Sequence, residues 1–210
     1  MTTRRRIAAG AALVASIGAL ALAQQALDAA ADQQSVQAPL FEVDPLWPKP
    51  LPNHWVMGMT IGVGVDSRDH VFIIHRRETV DPQRDGGAGA DPPISECCVA
   101  APPVLEFDPD GNLVNAWGGP GQGYEWPNSN HGISLDHHDN VWIGGNGQPD
   151  SHILKFTRSG QFLLQIGTPG QGRTPNSHAR DHFGRVAKIS FDASANEAYL
   201  ADGYGNKRVA

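Results

Sequence analysis

The sequence predicts an all-β repeat fold, a β-propeller, on three observations. First, a short phrase recurs: alternating apolar positions, an Asp, a polar turn, then an apolar strand. Its copies are Gly62-Val-Gly-Val-Asp66 leading into Val71-Phe-Ile-Ile74, Gly132-Ile-Ser-Leu-Asp136 leading into Val141-Trp-Ile143, and Lys188-Ile-Ser-Phe-Asp192 leading into Ala198-Tyr-Leu200. Alternation on both sides of an Asp/Asn/Ser-rich turn specifies a β-hairpin. Second, another phrase fills the gaps. The run Leu105 to Gly118 aligns without a gap on Leu154 to Gly167, each with a strand, a turn ending in Gly (Gly111, Gly160), and a second strand. Glycine there supplies the positive φ of a tight hairpin. Third, the two phrases alternate, so one blade is a hairpin of each kind and has four strands. Hairpins recurring at roughly 40–50 residues mark a propeller or similar array. An ordinary antiparallel sandwich also has hairpins, but not two distinct phrases alternating in register.

The first stretch lies outside that pattern. Arg4-Arg5-Arg6 precede an apolar run from Ile7 to Ala23 that ends Ala21-Leu22-Ala23 before Gln24. A basic head, an apolar centre and an A-x-A site make residues 1–23 a signal peptide, which predicts a secreted or periplasmic protein. A retained membrane anchor is the rival, but the run is Ala- and Gly-rich and a little short for a span. No Cys follows it, which argues against a lipoprotein, and the residues around the arginines do not complete a twin-arginine signal. Residues 24–40 are Ala-, Gln- and Asp-rich and read as a flexible leader.

The folded part is expected over 41–210. From Phe41 there is room for about four blades at the usual length per blade. The chain stops at Ala210 in the opening strand of a hairpin. A closed propeller seals its last blade on its first, so the expectation is an N-terminal fragment of a longer propeller. The formal net charge is −6, and loss of the three arginines on cleavage makes it more acidic. An acidic chain without a basic stripe argues against a nucleic-acid partner. The expected partner is a small-molecule or peptide substrate, with no membrane association after cleavage.

One segment breaks the repeat. Residues 78–103 hold Gly86-Gly87-Ala88-Gly89-Ala90, several prolines and the adjacent pair Cys97-Cys98. Nothing there alternates, so a long inserted loop is predicted, and such loops on rigid scaffolds are often functional. An oxidising compartment favours a disulfide. Two cysteines allow a bond between neighbours, an intermolecular pair, or free thiols.

The hairpin phrases resemble NHL repeats, and Asp202-Gly-Tyr-Gly-Asn206-Lys-Arg208-Val resembles the return segment of such a blade. From about Val63 to the chain end, with 78–103 and 168–185 poorly matched, the sequence is similar to the catalytic domain of peptidyl-α-hydroxyglycine α-amidating lyase. The resemblance implies a six-bladed propeller that cleaves an α-hydroxyglycine into an amide and glyoxylate, using zinc and a structural calcium. In that family a strand ending Phe-His-Arg supplies a catalytic Arg; Val71-Phe-Ile-Ile-His75-Arg76 matches, which makes Arg76 the candidate. A Pro-His-Gly-Leu-Ser-Ile-Asp segment supplies a zinc His; Asn130-His131-Gly132-Ile133-Ser134-Leu135-Asp136 matches, which makes His131 the candidate. A Ser-Asp-Gly-Tyr-Cys-Asn-Ser-Arg segment supplies a catalytic Tyr; by position this is Tyr204. The backbone carbonyls of Val63 and Ile133 correspond to calcium ligands.

Departures accompany these matches. Gly205 stands where the family has a disulfide-bonded Cys, so that staple is missing. The family's two other zinc histidines and its calcium Asp correspond to positions past Ala210. One His cannot hold a catalytic zinc, which needs three protein ligands and an open position.

The chemistry suits these residue types. Hemiaminal cleavage removes a hydroxyl proton and stabilises an alkoxide, for which zinc polarises the hydroxyl. A tyrosine acts as base, and an Arg presents a planar fork to a carboxylate or oxyanion. Without the resemblance, His131 reads as a strand cap, Arg76 as the partner of Glu78, and Tyr204 as a packed blade aromatic. His137 and His138 read as exposed turn residues and His152 as structural, whereas His178 and His182 lie in a loop able to approach the axis. Two other readings stand beside the lyase: a non-catalytic NHL propeller that binds a peptide, protein or glycan, and a hydrolase or lactonase on the same scaffold.

Overall fold

The computed structural model describes residues 16–28, 39–85, 87–90, 92, 94, 96–171 and 175–210. The basic head Arg4-Arg5-Arg6 and the leader residues 29–38 lie outside them. The chain divides into two units, Met1–Asp44 and Pro45–Ala210. In the first, residues 16–28 are one helix that runs through the expected boundary at Ala23. Among the described residues no helix is long and apolar enough to cross a membrane.

The second unit is all β. Its strands are β1 (Trp55–Val56), β2 (Met59–Val65), β3 (Val71–Arg76), β4 (Val99–Ala100), β5 (Val104–Phe107), β6 (Leu113–Trp117) and β7 (Asn130–Leu135). They continue with β8 (Val141–Gly145), β9 (Ile153–Phe156), β10 (Phe162–Ile166), β11 (Ile189–Asp192), β12 (Glu197–Asp202) and β13 (Arg208–Val209). Strands β2-β3-β5-β6 form one four-stranded antiparallel sheet and β7-β8-β9-β10 a second; β11-β12-β13 form a three-stranded third. Sheets of strands in sequence order, with β7 packed against both β2 and β11, are propeller blades with their innermost strands side by side. The described residues thus form two complete blades and three strands of another, not the four blades that length alone suggests. The difference is chain spent on the insertion before β5 and on the long connection between β10 and β11.

The recurring Asp holds each inner hairpin together. Asp66 Oδ1 accepts from the Arg68 and His70 amides, and Asp136 Oδ1 from those of His138 and Asn140. Asp192 Oδ1 does the same for Ser194 and Ala195. In the outer hairpins Gly111 and Gly160 sit at φ +79° and +87°, as the second phrase requires.

The middle blade must be apolar on both faces, and its sequence is. Along β8, Val141 and Ile143 face a cluster with Phe72, Ile74, Val104, Ile133, Leu154 and Phe156, all 0–1% exposed. The intervening Trp142 faces the opposite cluster with Ile153, Phe183, Val186, Ile189 and Leu200. A period-two strand with a neighbour on each side reads as a continuous apolar run. Burying each large side chain contributes about 1.5–3 kcal/mol.

The described residues of the insertion carry structure of their own. Residues Arg77–Thr79 form a 3₁₀ turn, β4 pairs in parallel with β1, and Val80, Ala88 and Ala100 pack with Val56 and Cys98. Cys97 and Cys98 are joined to each other by a disulfide. Gly86 lies outside the described residues.

Candidate functional site

His131 is the second residue of the innermost strand β7. The β7–β8 register shifts between His131 and Ile133, and Gly132 there adopts φ +69°. A Cβ on Gly132 would lie 2.4 Å from the Ala187 carbonyl oxygen, so only glycine lets that carbonyl come close. The His131 ring uses this approach: its Nδ1 lies 3.1 Å from Ala187 O. A carbonyl only accepts, so in the neutral imidazole Nδ1 is the nitrogen that carries the proton and Nε2 the one with the lone pair.

That lone pair faces Tyr204. The Tyr204 hydroxyl is 3.2 Å from His131 Nε2, and the two rings meet edge to face at 5.6 Å. Tyr204 lies in the turn after β12 and is 50% exposed, open to a ligand. The turn is fixed by Asp202, fully buried, whose carboxylate accepts from Gly184 N, Asn206 Nδ2 and Arg208 Nε. The Asp-Asn-Arg frame of the return segment is therefore the scaffold that presents Tyr204. Arg185 stands over the Tyr204 ring at 5.8 Å and donates to Tyr204 O at 3.1 Å.

Arg76 ends β3 and reaches the same end of the second blade. Its Nε donates to Asn130 O at 3.3 Å and its Nη2 to Asn146 Oδ1 at 2.8 Å. It is thus tied to the residue preceding His131, and its hydrogen bonds do not go to Glu78. Ser129 Oγ donates to the same Asn146 oxygen, and the buried Asp150 carboxylate gathers the Asn128, Ser129 and Gly147 amides. The structure brings Arg76, His131 and Tyr204 to one region, with Arg76 linked through the Asn130 backbone.

The calcium candidates fare differently. The Ile133 carbonyl accepts a hydrogen bond from Lys188 Nζ at 3.1 Å. A carbonyl already facing an ammonium does not fit a calcium ligand; Val63 lies in β2 and is exposed.

The other histidines have separate duties. His75 is fully buried, accepts from Gly58 N at Nδ1 and bonds Pro102 O through Nε2, and burial lowers its pKa from the usual 6.5. His152 is buried and bonds Glu125 O. The His137 and His138 rings lie 4.0 Å apart, tilted by 47°, exposed in the Asp136 turn. His178 is exposed and His182 bonds Asp181.

Sequence reasoning missed one cluster. One ligand atom each from Asp66, His70 and Glu106 lie within 4.8 Å of one another, a spacing compatible with a metal ion. Arg158, however, is ion-paired with both carboxylates, and His70 Nδ1 lies 2.8 Å from Glu106 Oε1. The only signal was a charged residue, Glu106, at an otherwise apolar strand position.

No family model and no curated protein matches the sequence. Among solved structures, a gluconolactonase from Xanthomonas campestris, described as important in glucose secondary metabolic pathways, is similar at 13% identity with a TM-score of 0.38. The match covers 73% of this chain, which spans 37% of that one.

Proposed function

We propose that this chain contributes to the site of an exported, zinc-dependent propeller enzyme of the carbon–nitrogen lyase class, acting on an α-hydroxylated peptide or small molecule. The observation that supports this reading most is the His131 imidazole. Its Nδ1 proton is committed to Ala187 O, which leaves Nε2 as a lone-pair donor aimed at the Tyr204 hydroxyl. A metal-ligating histidine is held in this way, with its second nitrogen bonded to a backbone carbonyl. His131 fits one ligand position of a zinc site where the ion takes the Nε2 lone pair in place of the Tyr204 hydroxyl; bound there, the ion would polarise the substrate hydroxyl.

The chain's own residues supply the rest. Tyr204, acting as its phenolate, takes the proton of the substrate's carbon-bound hydroxyl; the C=O bond forms as the C–N bond breaks, and the same proton passes from Tyr204 Oη to the departing amide nitrogen. Arg76, held at its root by Asn130 and Asn146, offers its guanidinium edge to a carboxylate on the substrate. Arg185 adds a positive charge over the Tyr204 ring.

A second reading has its own observation. A cavity of about 560 Å³ beside the insertion is lined by Trp55, Trp126, Arg77 and Glu78, the kind of surface a non-catalytic propeller uses to hold a peptide or glycan. Zinc content and glyoxylate release from an α-hydroxyglycine peptide, measured on the intact protein, separate the two. The lyase reading expects both, and expects His131→Ala to lose both. Retention of metal and activity by His131→Ala overturns the assignment.

A further inference from the structure

Lys188 opens the third copy of the inner-strand phrase, at the position that Gly62 and Gly132 hold in the other two. Glycine at those places lets the inner strands touch through their backbones. A Cβ on Gly62 would lie 3.0 Å from Ile133 N and 3.1 Å from Gly132 Cα. The third copy instead sends a long cationic side chain back to the second blade, where Nζ donates to Ile133 O at 3.1 Å. That oxygen also faces the first blade, since a Cβ on Gly64 would lie 3.7 Å from it. The ammonium therefore sits on a carbonyl of the second blade's inner strand that also lies close to the inner strand of the first.

We infer that Lys188 is the resident cation of the propeller axis and that this chain dispenses with calcium there. A calcium ion asks for about six to eight oxygen ligands, several of them carboxylates. An ammonium brings one charge and three donors on a flexible stem, and needs only carbonyls to face it. With Nζ already at hydrogen-bonding distance from Ile133 O, a divalent ion at that oxygen would meet like charge at close range. The same contact ties the segment entering β11 to β7, a linkage made elsewhere along these strands by glycine-mediated backbone approach.

Calcium titration of the chelator-treated protein, followed by calorimetry and by thermal unfolding, tests this. The expected result is no saturable calcium binding and a melting temperature that moves by less than about 1 °C. Lys188→Met, which keeps the stem and removes the charge, is expected to lower the melting temperature by about 2–4 °C, and Lys188→Arg to retain most of it. Saturable calcium binding to the unaltered protein, or a Lys188→Met variant as stable as the parent, overturns the inference. The calcium arm uses the unaltered protein, so it decides the matter even where a variant does not fold. Zinc binding at His131 is a separate measurement and bears on neither arm.

Discussion

The imidazole of His131 and the phenol of Tyr204 meet at 3.2 Å across 73 residues of sequence. Both ring nitrogens of this second-blade histidine are engaged by the segment that builds the third: Ala187 O at Nδ1 and Tyr204 Oη at Nε2. The pair is therefore a product of blade packing, and its geometry holds only while β7 and β11 lie side by side. A site built across an interface of this kind is rigid, because moving either residue disturbs two sheets.

Tyr204→Phe separates chemistry from structure. The hydroxyl belongs to a half-exposed side chain and makes one hydrogen bond to His131, so its loss is expected to change stability by less than about 1 kcal/mol. Loss of a positioned base lowers turnover by about 10²–10⁴-fold. Denaturant unfolding and glyoxylate release on the same preparation check both halves. Full activity in Tyr204→Phe would remove the phenol from the mechanism.

Gly132→Ala attacks the site through the backbone. Its Cβ would have to occupy space 2.4 Å from Ala187 O at a φ of +69°, so either the carbonyl or the strand moves. The expected cost is about 1–3 kcal/mol, with the His131 ring released from its fixed tautomer and zinc binding weakened. Gly203→Ala is the control: nothing lies within 4 Å of a Cβ there, and its expected effect is within about 0.5 kcal/mol. Equal destabilisation by the two would show that the Gly132 contact with Ala187 is not what fixes the ring.

Much of this fold was legible because its determinants are local. Asp66, Asp136 and Asp192 bond amides two to four residues ahead, and Gly111 and Gly160 adopt the positive φ that their turns imply. The both-faces apolar run at Val141-Trp-Ile143 likewise announces a blade with neighbours on two sides. What stayed hidden depends on contacts between blades. Nothing near Lys188 in the sequence says that its ammonium reaches Ile133 O, and nothing near Arg158 says that it lies between Asp66 and Glu106. Resemblance to a lyase placed His131, Tyr204 and Arg76 in one site, and the sheets do bring them into one region. That Arg76 docks on Asn130 and Asn146 could be learned only from where β3 ends relative to β7.

Acid should weaken the fold in two windows. Burial alone would raise the Asp136 pKa, but hydrogen bonds from Trp142 Nε1, the Lys155 ammonium and Asn140 outweigh it and hold the carboxyl well below its usual 3.8. A depressed folded pKa means stability that is fully present above pH 3.8 and is lost as pH falls below it. His75 is depressed from 6.5 by burial, so its contribution is full above pH 6.5 and declines below that. Urea unfolding across this range should show a first decline beginning near pH 6.5 and a second below pH 3.8. His75→Phe should flatten the first decline and leave the second. Unchanged stability from neutral pH down to pH 4 would contradict the burial argument for His75.

Arg158→Met tests whether the carboxylate–histidine cluster is a closed metal site. Asp66 and Glu106 are 8% and 4% exposed, and the Arg158 guanidinium is the cation paired with both. Removing it leaves the two buried carboxylates with only Arg68, at 3.7 Å from Asp66, and His70, at 2.8 Å from Glu106, beside them, an expected loss of about 3–5 kcal/mol in the presence of chelator. The ligand atoms of Asp66, His70 and Glu106 already lie within 4.8 Å of one another, so a divalent ion can take over the neutralising charge. Zinc at about a hundredfold over its dissociation constant should then restore about 2.7 kcal/mol to the variant. In the unaltered protein the guanidinium occupies that place, so any zinc stabilisation should run through the site to which His131 contributes one ligand, and His131→Ala should abolish the effect. Zinc stabilisation that survives His131→Ala and vanishes in Asp66→Asn would mean that Arg158 yields to the metal, and that the cluster, not the His131–Tyr204 pair, is the metal centre of these blades.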